Sequence, residues 1–155
     1  MLMYPTKFTI SSGTAAAQHR LVAFDKALIA AGISNYNLLR VSSILPIGCK
    51  QVQAVDKKEG SALLVAYGTI SSKVPGTMIA SAVSIGIPEQ EGQVGVIMEF
   101  AGECDALTAE QTVRQMAAEA MLNHGIRCRE ILVSATEAVV PQDGYSVVIS
   151  AVAMW

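Results

Sequence analysis

Apolar positions along this chain fall into two rhythms. Short runs rich in Val, Ile, Ala and Leu suit strands over Lys7–Ser11, Asn37–Pro46, Ala62–Ser71, Met78–Ile87, Val94–Phe100, Ile131–Val140 and Tyr145–Met154. Turn chemistry separates several of them: Val74-Pro-Gly-Thr, Pro88-Glu-Gln-Glu-Gly, and Pro141-Gln-Asp-Gly, which predicts a hairpin between the last two strands. The small-residue run Ser11-Ser-Gly-Thr-Ala-Ala-Ala predicts a loop, and Asp56-Lys-Lys-Glu-Gly an exposed turn.

Two stretches follow a helical period instead. His19 to Ala31, stopped by Gly32, gathers Leu21, Phe24, Leu28 and Ala31 on one face, with Asp25 at the margin of that stripe. Thr108-Ala-Glu-Gln opens the second helix as a capping box, and Gly125 closes it. Its apolar face is Val113, Met116, Ala117, Ala120 and Met121. Two helices among seven or so strands, with no regular βαβ alternation, predict an α/β layered sandwich and argue against a doubly wound parallel sheet.

One strand is unusual. In Asn37–Pro46, Leu38, Leu39, Val41, Ile44 and Leu45 suit a buried pleat, yet Ser42 and Ser43 stand side by side within it. The residues alone leave open whether these hydroxyls merely bond nearby backbone. Glu99 raises a similar question, because it follows Val94-Gly-Val-Ile-Met in a strand that otherwise reads as buried. It either turns to solvent or pairs with an arginine at a strand end, or it is a buried carboxylate of raised pKa. Asn37 shares strand parity with Ser43, so both face one side if no bulge intervenes. Its amide either satisfies backbone at the strand start or donates to a developing oxyanion. Asp25 is a rim charge, a salt-bridge partner or a group that meets a cationic ligand.

Composition narrows the setting. The 155 residues suffice for one domain with a real core, and 52% apolar content with 15% charge predicts that sister subunits cover much of the surface. No apolar run reaches the length of about 18 residues that a membrane helix requires. Met1-Leu-Met-Tyr-Pro lacks the charged start and apolar core of a signal peptide. A net charge of −2 with scattered basic residues argues against a nucleic-acid surface. Cys49, Cys104 and Cys128, odd in number and widely spaced, read as reduced thiols of a cytoplasmic protein. Phosphate-loop, dinucleotide-binding and nucleophile-elbow motifs are missing from the sequence. His19 and His124, each at a predicted helix end, suit surface or capping roles better than a metal site or triad.

Between Ala23 and Trp155 a series of short motifs follows in order. They are Ala-Phe-Asp at 23–25, Ala-Gly-Ile at 31–33, Asn-Leu-Leu-Arg-Val-Ser-Ser-Ile-Leu-Pro at 37–46, Ala-Tyr-Gly at 66–68 and Val-Pro-Gly at 74–76. Ile-Met-Glu-Phe at 97–100, Thr-Val-Arg-Gln-Met at 112–116 and Ala-Met-Trp at 153–155 complete the series. Their joint order and spacing resemble the pyruvoyl-dependent arginine decarboxylases. Residues 1–22 match that pattern poorly: Arg20-Leu-Val22 stands where the family tends towards Pro-Leu-Asn. Lys26 replaces a small residue beside Asp25, where it could pair with that carboxylate.

The resemblance implies a four-layer αββα sandwich with mainly antiparallel sheets, formed by a single domain of residues 1–155. It also implies self-cleavage between Ser42 and Ser43. Ser43 attacks the Ser42 carbonyl, the resulting ester eliminates to dehydroalanine, and hydrolysis leaves a pyruvoyl group with loss of ammonia. The products are a β chain of 1–42 and an α chain from 43 onward. That attack calls for a strained bond and oxyanion donors. The pyruvoyl group is the covalent cofactor: it supplies the electron sink that decarboxylation needs and that no unmodified side chain offers. Further implied roles are Glu99 as general acid, Asn37 as an aid to processing and Asp25 as the guanidinium anchor, with Leu28 and Ile44 walling the side-chain channel. The implied substrate is arginine, the products agmatine and carbon dioxide, and the assembly a homotrimer or dimer of trimers. Metal, nucleic acid and membrane have no implied part. Two other readings stay open: a pyruvoyl decarboxylase of another amino acid, which Lys26 favours, and a non-catalytic oligomeric paralogue.

Overall fold

The computed structural model describes residues 3–155, so the first two residues of the Met1–Pro5 segment lie outside it. Strand β1 (Lys7–Ala17) is followed by helix α1 (Arg20–Ala31) and the short strands β2 (Asn37–Arg40), β3 (Ile44–Leu45) and β4 (Lys50–Gln51). Then come β5 (Ala62–Ser72), β6 (Met78–Pro88), β7 (Gly95–Gly102), helix α2 (Ala106–Asn123), β8 (Cys128–Val139) and β9 (Tyr145–Met154). They form a five-stranded sheet in the order β2-β5-β9-β1-β4 and a four-stranded sheet in the order β3-β7-β6-β8. Pairing is antiparallel except at the two edges of the larger sheet, where β2 joins β5 and β4 joins β1 in parallel.

Three apolar layers between these elements make the molecule a four-layer α/β sandwich. Ala23, Ala27 and Leu28 of α1 pack with Leu63, Val65, Ile149 and Ala151 on the outer face of the five-stranded sheet. Ala66 and Val152 of that sheet meet Val83, Ile85 and Ile97 of the other across the middle. Ala109, Val113 and Met121 of α2 cover the far side. Each fully buried aliphatic side chain of this kind contributes about 1.5–3 kcal/mol, so the middle layer is what holds the two sheets face to face. It also contains a chain of hydroxyls. Ser134 and Ser150 each meet Ser12 at 2.7 Å, and Ser150 meets Ser81 at 2.8 Å. These bonds satisfy buried polar groups and fix the sheets against sliding.

Several elements differ from their sequence prediction. Ser11–Ala17 is not a loop but the second half of β1, paired with β9 from Ser11↔Ala151 to Ala17↔Tyr145. Its small residues let α1 come close: a Cβ on Gly13 would lie 2.1 Å from the Ala27 carbonyl oxygen. That helix buries Ala23, Ala27, Leu28 and Ala31, so the expected face led by Leu21 is displaced. Leu21 is 77% exposed and Ile29 60%. Helix α2 begins earlier than the capping box suggests, because Asp105 is the cap and accepts from the Thr108 amide at 2.8 Å. The turn at Pro141–Gly144 is no hairpin: it carries the chain from one sheet to the other, since β8 pairs only with β6 and β9 with β1 and β5.

The C-terminal ends of both helices are as expected from the sequence. Gly32 ends α1 at φ 78°, and His124 caps the end of α2 ahead of Gly125 at φ 68°; His19 occupies the N-cap position of α1 without a side-chain bond. The last residue is anchored too. Trp155 donates its indole N–H to Asp56 at 2.7 Å, and Lys7 bonds the other oxygen of the same carboxylate. No helix among the described residues is long and apolar enough to cross a membrane.

Candidate active site

The serine pair does not lie within one strand. Val41 is held by the five-stranded sheet, its N–H donating to the Val65 carbonyl at 3.1 Å. Ser43 is held by the four-stranded sheet, its carbonyl accepting from the Ile97 N–H at 2.7 Å. The predicted strand Asn37–Pro46 is therefore two strands, β2 and β3, in different sheets, and the Ser42–Ser43 bond lies at the crossing between them. An edge strand has a single neighbour, so leaving one sheet for another sacrifices few backbone bonds. Ser42 is exposed and Ser43 half-buried. Neither has the left-handed backbone that would mark strain, since every positive φ among the described residues belongs to a glycine.

Glu99 stands two residues beyond Ile97 on the same strand, a span of about 6–7 Å, and on the same face. Its partner across the ladder is Val83, a residue of the middle core, so the carboxylate points between the sheets. Burial pushes the Glu99 carboxyl above its ordinary pKa, against the opposing pull of the Arg40 charge. The two sheets come close together here. A Cβ on Gly68 of β5 would lie 3.1 Å from the Phe100 carbonyl oxygen, so glycine lets β5 press against the backbone beside Glu99.

Arg40 and Tyr67 were not singled out by the sequence reading. Arg40 donates to the Tyr67 carbonyl at 2.8 Å, and its guanidinium lies 4.3 Å from the centre of the Tyr67 ring. A signal was present: an arginine two places before Ser42 in an otherwise apolar run. The Ile97 amide, being backbone, left no such mark.

The remaining predicted residues are not gathered around Ser43 within one chain. Asn37 opens β2, about 10 Å of strand behind Arg40. The break after β2 removes its shared parity with Ser43, and its amide donates to the Gly60 carbonyl at 3.0 Å. Asp25 is exposed on the outward side of α1 between Leu21, Val22 and Ile29. The helix lies over β1 and β9 on the outer face of the five-stranded sheet, whereas Ser43 bonds the other sheet. Leu28, 8% exposed, belongs to the core beneath α1, because alanines set that helix's buried stripe. Ile44 is 41% exposed and pairs with Val96 immediately after Ser43. Lys26 bonds the Ala16 carbonyl at 2.8 Å, away from Asp25.

The donor set fits a pyruvoyl group. Ser43, half-buried at the crossing, would supply its atoms, the Ser43–Ile44 peptide would keep it attached to a paired strand, and Glu99 stands nearby with a raised proton affinity. A site of this kind would suit a decarboxylase whose cofactor is part of its own chain. The chain matches the model of the family described as pyruvoyl-dependent arginine decarboxylase over residues 7–155. It is 42% identical over 113 residues to a Methanocaldococcus jannaschii protein named pyruvoyl-dependent arginine decarboxylase, covering 73% of this chain and 68% of that one. Proteins of the same name from Methanococcus vannielii and Pyrococcus abyssi are 34% and 33% identical, with 97% of this chain covered in both comparisons and 91% and 96% of theirs. The chain belongs to the pyruvoyl-dependent arginine decarboxylase family.

Proposed function

We propose that this protein decarboxylates L-arginine to agmatine and carbon dioxide, using a pyruvoyl group made from Ser43 when the Ser42–Ser43 bond opens. The observation that carries this reading is the crossing itself: Val41 is bound to one sheet, Ser43 to the other, with the half-buried Glu99 on the strand that holds Ser43. When present, the group supplies the sink for the electrons left by departing carbon dioxide.

The chain's own residues do the rest. Glu99, protonated more readily than an ordinary glutamate, delivers the proton that replaces the lost carboxylate. Ile44 continues the backbone from the reacting residue and lines its surroundings. Asn37 assists processing, its exposed amide held by Gly60. Asp25 receives the guanidinium in a two-pronged pair, with Leu28 backing it from the core one turn further on. Lys26, the main support for another substrate, is engaged by Ala16, which favours arginine.

Asp25 and Ser43 on opposite sides of one sheet argue for a site shared between copies. A second copy would bring Asp25 to Ser43 and cover Leu21, Val22 and Ile29; the assembly is a homotrimer or a dimer of trimers of cytoplasmic protomers. Each protomer consists of residues 1–42 and 43–155.

Intact-mass measurement and an agmatine assay test the proposal together. Two fragments are expected, the larger blocked to Edman sequencing and lacking the mass of ammonia, with agmatine formed from arginine. Ser43→Ala should stay whole and inactive. A single 16.3 kDa species after prolonged incubation would falsify the proposal.

A further inference from the structure

We infer that the backbone N–H of Ile97 is a catalytic donor to the Ser43 carbonyl oxygen, used once as the cofactor is made and again in each turnover. The inference rests on the proposed conversion of Ser43. At 2.7 Å the contact lies at the short end of N–H···O hydrogen bonds. Ile97 is fully buried, among Leu45, Val83 and Ile85, so the donor acts in apolar surroundings where a bond to developing charge strengthens. Strand β7 is fixed from both sides, by Ile44↔Val96 on one and Ile85↔Ile97 on the other. The amide is aimed before any charge appears.

The carbonyl it touches is not the one attacked. Opening the chain puts charge on the Ser42 carbonyl oxygen, and Ile97 does not serve that step. It serves the next one. In the ester that follows, the Cα proton of residue 43 leaves to solvent and its electron pair forms a Cα=Cβ double bond. The Cβ–O bond breaks, and residue 42 departs as a carboxylate. Negative charge building on Cα is shared with the residue 43 carbonyl oxygen, where the Ile97 N–H waits. Hydrolysis then releases ammonia and leaves that carbonyl and its peptide bond to Ile44 untouched. The same oxygen adjoins the new ketone. It takes on negative charge when carbon dioxide leaves the substrate, and the same donor meets it.

Chemical ligation of a chain carrying the α-hydroxy analogue of isoleucine at 97 tests this, because an ester oxygen then replaces the N–H. A second chain with the hydroxy analogue of glutamate at 89, whose N–H bonds the Arg127 carbonyl elsewhere, controls for a lost backbone donor. The 97 variant should accumulate a hydroxylamine-labile ester at the 42–43 junction, with elimination slowed about 10²-fold. Its matured fraction should lose kcat by a similar factor, with KM for arginine unchanged. Maturation and kcat equal to the control's would overturn the inference. If the variant cannot fold, isotope-edited infrared of wild-type protein with a ¹³C-labelled residue 43 carbonyl decides instead. A band lowered as in a strongly hydrogen-bonded amide supports the inference, and a band at the unbonded frequency overturns it. A wild-type chain that never opens overturns the pyruvoyl reading, and the inference with it.

Discussion

Lys26 gives its ammonium to the carbonyl oxygen of Ala16, 2.8 Å away, although Asp25 is its neighbour in sequence. Successive residues on a helix point about 100° apart, so the two side chains diverge. Lys26 reaches down to the end of β1, whereas Asp25 faces outward. Among the described residues Asp25 has no ion pair.

Asp25→Asn should therefore raise the KM for arginine about ten- to a hundredfold, the worth of a hydrogen bond to a charged group, and leave self-cleavage alone. Lys26→Gly should leave arginine KM unchanged, because it removes no competitor for Asp25. Steady-state kinetics on the two purified variants separates these outcomes. An unchanged KM in Asp25→Asn would remove this residue from substrate binding.

Glu99→Gln should open its chain normally yet lose about 10²–10⁴-fold in kcat, since the amide keeps the shape but carries no transferable acid proton. Activity should fall as pH rises through the Glu99 pKa. Arg40→Gln should shift that alkaline limb upward, because the Arg40 charge opposes the rise caused by burial. The sign for stability is the same. A raised folded pKa favours folding at pH below the unfolded value, and that advantage is lost as pH rises through the folded one. The melting temperature of Glu99→Gln relative to wild type should accordingly increase from acid towards neutral pH.

Gly13→Ala should destabilise the protein by about 1–3 kcal/mol, the usual cost of overpacking, because the added methyl meets helix backbone that cannot rotate away. Urea unfolding should show a lower midpoint. A midpoint equal to wild type would mean that α1 is free to lift from β1.

Asp56 links chemistry at the chain end to pH. Hydrogen bonds from Lys7 and then Trp155 hold its carboxyl below the ordinary aspartate pKa. The stabilisation is complete above the unfolded value of about 4 and disappears as pH falls through the lower folded value. Trp155 fluorescence should change over that acid range and lose the transition in Asp56→Asn. A transition retained in Asp56→Asn would assign the effect to another group.

Much of the architecture was legible in sequence because long apolar runs and Gly32 mark strands and a helix end with little ambiguity. What escaped was partnership. Hydropathy describes Asn37–Pro46 as continuous, but it does not say which sheet each half joins, so the crossing at Ser42–Ser43 was invisible. The same holds for the turn between β8 and β9. Ser11–Ala17 looked like a loop because small residues carry no period, although smallness is what α1 demands of β1. In α1 itself, leucine and isoleucine outweigh alanine on any hydrophobic scale, and the predicted stripe turned towards Leu21. Ser43 and Glu99 could each be noticed in sequence. Their nearness, conveyed through Ile97, required the register of β7.

The position of β1 constrains the proposed cleavage. It lies between β9 and β4, and β9 belongs to the segment after the serines. Residues up to Ser42 thus contribute an interior strand, a helix and one edge to a sheet completed by later residues. A cut at the crossing would interrupt neither sheet, and the two pieces would stay interlocked without a covalent tie. Separately synthesised pieces would each lack half of a layer and expose apolar faces. Under the proposed cleavage, assembly would come before division, and the opened bond would record that folding had already succeeded.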